Sequence, residues 1–300
     1  MNDRKQHVIG MAHQLFIEKG FQATSIQDIL EFSGISKGTF YNYFSSKNEL
    51  LIAIFKTIFK KMDKERDELL IGKDRSDIGI FIKQMELQMK ANKKNKLFTL
   101  FEEVMFSNDE DLKQFIKRGH LMMLRWLYHR FIDIFGESKK SYLLDCAIMF
   151  MGILHQNLHF KYMANGSGVK IHQVVRYSVD RIIKIVDEVT ETGDQLVDPE
   201  LLDTWLPDCK ENNHGFQQKL FDSVQSLKKT LCNDEEQIKY IELLDFIQEE
   251  LQNSKSPRKF LINSSLLSLK ANHSESWIKE LQKLEELIVT FFNSLEETSA

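Results

Sequence analysis

Three prolines in 300 residues constrain the fold of this chain more than any other feature of its sequence. A proline inside a helix removes a backbone donor and clashes with the preceding turn, so a chain with so few prolines can form long helices. Only 13 glycines accompany them, whereas turn-rich β proteins and α/β enzymes with many loops need more of both residues. The sequence therefore predicts an all-α protein.

Apolar residues recur along the chain with the period of an amphipathic helix. After Gly193 the same pattern continues in three further apolar stripes. The helices predicted before that point are residues 3–19, a short helix capped by Thr24 and Ser25, and residues 37–43, 47–69, 77–91, 96–106, 109–135, 142–163 and 171–189. Since no stretch has a convincing strand pattern, the whole chain is expected to be helical.

Charge is distributed unevenly along the chain, whose formal net charge is −4. Residues 1–61 carry eight Lys and Arg against five Asp and Glu, whereas residues 194–300 carry 11 against 20. A basic start and an acidic end indicate an anionic partner for the N-terminal part. We therefore expect three domains: an N-terminal head (residues 1–47), a middle region (residues 48–193, called the sensor region below) and an acidic C-terminal extension (residues 194–300).

The strongest functional signal lies between Ser25 and Lys47, which reads SIQDILEFSGISKGTFYNYFSSK. Ser25 and Ser36 are good N-caps, and Gly34 supplies the turn between two short helices, so the segment is typical of a helix-turn-helix. Its expected buried residues are Ile26, Ile29, Leu30, Ile35, Phe40 and Phe44. The second helix presents mostly neutral hydrogen-bonding groups, which suits contact with phosphates and base edges in the major groove of DNA.

This segment and its flanks resemble the N-terminal domain of TetR-family transcriptional regulators. The matching positions are Ala12, Phe16, Gly20, Phe21, Thr24, Ser25, Ile29, the run 34–44, Lys47 and the run 49–51. Phe32 departs from the family pattern, which usually has a small residue there. The sensor region fits the family in the number and length of its helices, and the C-terminal extension lies outside the resemblance.

The resemblance implies a cytoplasmic homodimer, usually a repressor, that binds a palindromic double-stranded DNA operator. Carried over to this sequence, the expected phosphate contacts are Thr39, Tyr41, Tyr43 and Lys47. Expected base-edge or mixed contacts are Ser36, Lys37 and Asn42, and Ser25 and Gln27 are expected to contact either the backbone or bases. Gly38 lacks a side chain, so the helix backbone could approach DNA closely there. Two-fold symmetry would double the contacts that one recognition helix makes.

Large and adaptable side chains in the sensor region, taken as a group, indicate a small, largely apolar effector, although for any single one of them ordinary core is the more frequent role. The candidate pocket residues are Met85, Met89, Phe98, Phe101, Met105, Met122, Met123, Trp126, His155, Asn157 and His159. By the same resemblance, residues 142–163 and 171–189 are expected to form a four-helix bundle between two subunits. Effector binding is expected to shift residues 47–69 and so to separate the two recognition helices.

Neither a catalytic nor a cofactor-binding pattern is present in the sequence. It contains no GxSxG, HExxH, P-loop or GxGxxG motif, so we expect neither an enzyme nor a bound cofactor. His155 and His159 have a spacing that a metal could use, but no carboxylate or Cys stands at a useful distance, and no metal or membrane attachment is expected. The alternative hypothesis is a helical adaptor whose acidic C-terminal extension docks a protein partner.

Overall fold

The computed structural model describes residues 3–71, 73–107, 109–207, 211–230, 238–254, 257–270 and 275–298. Across these ranges the backbone forms α-helices and two short 3₁₀ turns, without a strand. This confirms the all-α prediction. None of the helices within these ranges combines the length and the apolar character needed to cross a lipid bilayer.

The chain separates into two compact units, Met1–Leu206 and Pro207–Ala300. The first unit contains α1 (Asp3–Lys19), α2 (Ile26–Ser33), α3 (Lys37–Tyr43), α4 (Lys47–Glu68), α5 (Ile78–Lys94), α6 (Leu97–Met105), α7 (Glu110–Phe135), α8 (Lys140–Asn165), α9 (Ile171–Thr192) and α10 (Leu201–Trp205). The second contains α11 (Glu211–Thr230), α12 (Ile238–Asn253), α13 (Lys259–Leu269) and α14 (Glu275–Thr298).

One hydrophobic core joins the head to the start of the sensor region. Phe16, Phe40 and Phe44 are almost completely buried, and they belong to the same cluster as Leu100 of α6 and Leu112 of α7. Every helix from α1 to α4 contributes its apolar face to this cluster. Because α6 and α7 complete the core of the head, movement of these helices would change the packing of α1–α4.

A second core lies among α5, α7, α8 and α9, and Leu202 of α10 contributes to it. Asp145 explains why a carboxylate lies in the apolar sequence of α8. Its side chain is buried and accepts hydrogen bonds from the backbone N–H groups of Leu196 (2.7 Å) and Val197 (3.1 Å). These bonds attach the segment after Gly193 to the first unit, whereas the sequence placed the start of the C-terminal extension at Asp194.

The second unit has a hydrophobic core of its own, built from α11 to α14. Trp277 is buried in it and donates from Nε1 to the carbonyl of Leu269 at 3.0 Å. Arg258 donates to Glu250 from its backbone and its guanidinium group, and these bonds lower the pKa of the Glu250 carboxyl. The acidic end of the chain is therefore a folded helical unit within the described residues.

Candidate nucleic-acid interface

The first helix of the helix-turn-helix begins at a reciprocal capping arrangement. Ser25 Oγ accepts from the backbone N–H of Asp28 at 3.1 Å, and the Asp28 carboxylate accepts from the Ser25 N–H at 2.7 Å. Lys19 Nζ donates to the same carboxylate at 2.8 Å, and with Ser25 it holds the pKa of Asp28 well below its usual range. Ser25 is exposed beside this cap, so it lies at the surface where the sequence placed a DNA contact.

Gly34 makes the turn between α2 and α3. Its φ of 67° lies in the left-handed region, which glycine adopts without the steric cost of a Cβ atom. The turn is closed by a hydrogen bond from the Ile35 N–H to the Leu30 carbonyl at 3.2 Å. Ser36 then caps α3 by accepting from the Thr39 N–H at 3.1 Å. These local bonds explain why two short helices meet here at a defined angle.

The α3 helix buries one face and presents the other to solvent. Phe40 is fully buried, whereas the neighbouring Tyr41 is 46% exposed. The predicted contact residues that are exposed are Ser25, Gln27, Ser36, Lys37, Gly38, Tyr41 and Asn42, and those that are partly exposed are Thr39, Tyr43 and Lys47. A Cβ atom added at Gly38 would meet nothing nearer than Ser36 Oγ at 3.9 Å. The chain itself therefore does not need glycine at this position.

Lys47 has a role in the head that the sequence did not indicate. Its Nζ donates to the carbonyl oxygens of Phe21 and Thr24, both at 2.8 Å, and lies 4.4 Å from the centroid of the Phe21 ring. Burial lowers the pKa of this ammonium, and the carboxylates of Glu103 and Asp28 partly oppose that effect. Lys47 thus ties the start of α4 to the turn between α1 and α2. A contact between Lys47 and a phosphate stays a prediction. The ammonium has three N–H donors, and one remains for a phosphate after these two bonds.

Helix α6 also holds the α1–α2 turn, and this contact was missed in the sequence. Glu103 accepts from the backbone N–H of Gln22 at 2.9 Å, and Lys96 Nζ donates to the carbonyl of Ile17 at 2.9 Å. Among the described non-glycine residues, Lys96 alone has a positive φ, 47°, a conformation that costs free energy and persists only where other contacts hold it. No local sequence signal marks these bonds, because they join residues about eighty positions apart.

The predicted pocket residues are divided between the two cores of the first unit and its exposed surface. Met85 and Met89 are buried in the core of α5, α7, α8 and α9, and Met123 and Trp126 pack against it. Phe101 packs instead on the core of the head. Phe98, Met105 and Met122 are exposed hydrophobic side chains, whereas His155 and His159 are exposed polar ones. Asn157 is half-buried and donates to Ser178 Oγ at 3.2 Å.

The two predicted phenylalanines each contact a histidine ring, and one of these histidines, His120, was not singled out in the sequence. The Phe98 and His155 ring centroids are 5.8 Å apart, and those of Phe101 and His120 are 5.9 Å apart. Burial, with a smaller contribution from His155, lowers the pKa of His120. The residues that the structure describes contain no group of three or more His, Cys, Asp or Glu placed to hold a metal ion.

Comparison with known proteins identifies the same part of the chain. Residues 8–54 match the family model described as "Bacterial regulatory proteins, tetR family". This range covers most of α1, all of α2 and α3, and the start of α4. It therefore includes the helix-turn-helix and every residue predicted to contact DNA.

Two curated relatives from Bacillus subtilis are similar over nearly the whole chain. YerO is 26% identical over 97% of this chain and 96% of its own length, and YuxN is 25% identical over 96% and 98%. Both are described as uncharacterized HTH-type transcriptional regulators. Since the matches cover nearly all of each protein, these relatives share the C-terminal extension.

A solved structure is similar to part of the chain. It comes from a Mesorhizobium loti protein assigned to the TetR family, covers 61% of this chain and 96% of that protein, and has a TM-score of 0.49 at 18% identity. The family model and the full-length relatives agree with the helix-turn-helix geometry described above. Residues 8–54 therefore form a helix-turn-helix domain of the TetR type, and the chain as a whole is similar to HTH-type transcriptional regulators.

Proposed function

We propose that this regulator is a cytoplasmic homodimeric repressor that binds a palindromic operator and releases it when a small, largely apolar effector enters the sensor region. The observation that carries the proposal is the shared core described above. Because α4, α6 and α7 complete the core of the head, a change in their packing alters the position of α3. Seven of the predicted DNA-contact residues, which lie on α3 and around the Ser25 cap, are exposed to solvent.

Helices α8 and α9 are the proposed dimer surface. They pack on each other and bury their inner faces in the sensor core. Their outer faces retain large apolar side chains: Ile148 is 38% exposed, Phe160 62%, Met163 70% and Tyr177 55%. Exposed apolar patches of this kind mark interaction surfaces. A second copy of α8 and α9 would cover them and form a four-helix bundle.

The proposed signal runs from the sensor core to the head along two routes. Helix α4 begins at Lys47, which binds the α1–α2 turn, and ends in the sensor region. Helix α6 binds the same turn through Glu103. An effector can shift this arrangement only by binding one conformation more tightly than the other. The conformation in which the two recognition helices have the spacing needed to bind DNA would then become less populated.

The proposal is tested by measuring operator affinity with and without an effector. DNA fragments selected from the genome of the source organism supply the operator, and apolar compounds that raise the melting temperature of the purified protein supply candidate effectors. We expect at least one stabilising compound to weaken operator binding about tenfold or more, which corresponds to a coupling of about 1.4 kcal/mol. Compounds that bind tightly and leave operator affinity unchanged would contradict the proposed release.

A further inference from the structure

Two arginines of the sensor region are buried on different helices and are connected through one glutamine side chain. Arg66 on α4 is 7% exposed and Arg130 on α7 is 2% exposed. A guanidinium group leaves water at a large cost unless acceptors inside the protein replace the lost hydration. The partners of each donor atom therefore indicate what these side chains are placed to bind.

Gln84 of α5 joins the two arginines. This side chain is fully buried; its Nε2 donates to the backbone carbonyl of Arg66 at 2.9 Å, and its Oε1 accepts from Arg130 Nε at 3.1 Å. Arg130 Nη1 donates to the carbonyl of Arg75 at 2.9 Å and to Asp133 at 2.8 Å. The orientation of Arg130 is thus fixed by three acceptors from three different residues.

The Arg66 guanidinium packs against the face of α7 that also carries Arg130. Its central carbon is 3.9 Å from the centroid of the Trp126 ring, and its Nη1 is 3.8 Å from the sulfur of Met123. Met123, Trp126 and Arg130 follow one another at helical spacing on that face. Arg66 Nη2 donates to Asp63 at 2.7 Å, and the Asp63 side chain is itself 58% exposed. The stem of Arg66 is therefore enclosed while its carboxylate partner faces solvent.

One donor atom on each arginine is left over. Arg66 Nε and Arg130 Nη2 are buried, and neither has a hydrogen-bond acceptor among the residues that the structure describes. Asp133 is shared between Arg130 and Arg75, at 2.8 and 2.7 Å. Burial lowers the pKa of Arg130, although Asp133 and the nearby Asp67 act in the opposite direction. The charged form of Arg130 would therefore gain from one more anionic acceptor.

We propose that Arg66 and Arg130 bind an anionic group, a carboxylate or a phosphate, on an otherwise apolar effector. Guanidinium donors match the oxygens of both groups in geometry and charge. The neighbouring side chains are apolar, since Phe81 stacks on Trp126 with centroids 6.2 Å apart and Met85 is buried in the same core. The inference rests on the proposed function and names the class of effector. It also places the anion on the last turn of α4, the helix that begins at the head.

The test compares three compounds with the same ten-carbon chain: decanoate, decyl phosphate and decanol. The two anions are added below their micelle concentrations and decanol below its solubility limit to the full-length protein, and the melting temperature is measured. We expect decanoate, decyl phosphate or both to raise it by about 2–4 °C at saturation, and decanol to leave it unchanged. A response to only one of the two anions identifies the head group as carboxylate or phosphate. Equal stabilisation by decanol, or none by either anion, would overturn the inference.

Matched arginine variants locate the effect. Arg66→Gln and Arg130→Gln should lose the shift in melting temperature. Arg66→Lys keeps the charge but lacks Nε and should weaken anion binding at least tenfold. It is the second variant to use if Arg130→Gln does not fold. Arg125→Gln is the control: Arg125 is also buried on α7, and its Nη1 also lacks an acceptor among the described residues, but its Nη2 lies 3.9 Å from Asp203 of α10. A shift that survives in the Arg66 variants would refute the assignment.

The outcome separates this inference from the proposed function. If an anion binds through Arg66 and operator affinity does not change, the anion site stands and the release mechanism fails. If decanol releases the operator as well as decanoate does, the release mechanism stands and the anion site fails.

Discussion

Replacing Lys47 by Ala should lower the free energy of unfolding by about 2 kcal/mol, because two hydrogen bonds from a charged donor disappear. The carbonyls of Phe21 and Thr24, which accept from Nζ at 2.8 Å, lose this donor, and the turn between α1 and α2 loosens. Operator affinity should fall about tenfold or more as well, since the same ammonium is a proposed phosphate contact. Urea denaturation followed by circular dichroism measures the first effect, and fluorescence anisotropy with labelled DNA the second.

Lys37→Ala is the matched control for this variant. It removes the same charge from the head, but Lys37 lies exposed at the start of α3. We expect its free energy of unfolding to stay within about 0.5 kcal/mol of the wild type. Lys47→Ala should reduce the salt dependence of DNA binding by about one unit in the log–log slope, as expected for one lost phosphate contact, and the slope of Lys37→Ala distinguishes a phosphate contact of Lys37 from a base contact. Equal stability of the two variants would show that the bonds from Lys47 do not hold the head together.

The double variant Ile148→Glu/Tyr177→Glu should convert the proposed dimer to a monomer. Both side chains are exposed on the outer faces of α8 and α9, so the monomer should keep its fold while two charges on each subunit oppose association. Light scattering after size exclusion should give the mass of one chain, 35.3 kDa, instead of two. Operator affinity should fall roughly a hundredfold or more, because the second half-site no longer binds at high effective concentration.

Phe260→Glu is the control for this experiment. Phe260 is 80% exposed on α13 in the second unit, so the substitution places a charge on a large exposed apolar residue outside the proposed surface. The account predicts an unchanged mass and unchanged DNA affinity. If Phe260→Glu gives the monomer and the double variant remains a dimer, association uses the second unit and the proposed four-helix bundle is wrong.

The head could be predicted from the sequence because its determinants are local. Ser25 and Asp28 cap α2 within one turn, Gly34 makes the turn, and Ser36 caps α3. The ends of the longer helices also lie near their predicted positions: α4 was expected over 47–69 and covers Lys47–Glu68. Hydrophobic period and capping residues act over a few positions, so they are readable before the chain folds.

The contacts that connect the head to the sensor region were not predictable in this way. Lys47 reaches carbonyls more than twenty residues away, and Glu103 reaches a backbone N–H that is 81 residues away. Gln84 lies in an apolar stripe, where the sequence gives no sign that it joins Arg66 and Arg130. Such contacts depend on how helices pack, which the pattern within one helix does not specify. The predicted pocket residues lie in two different cores and at the surface, because helix packing decides which side chains meet.

The central claim is that the exposed face of α3 binds double-stranded DNA at specific sites. It is tested most directly by sequencing the genomic fragments that the purified protein retains, in parallel with the Tyr41→Ala variant. Tyr41 is 46% exposed, so its removal should leave the melting temperature unchanged. We expect the wild type to enrich a few sites with inverted half-sites and Tyr41→Ala to lose this enrichment. Equal enrichment of the same sites by both proteins would contradict the account.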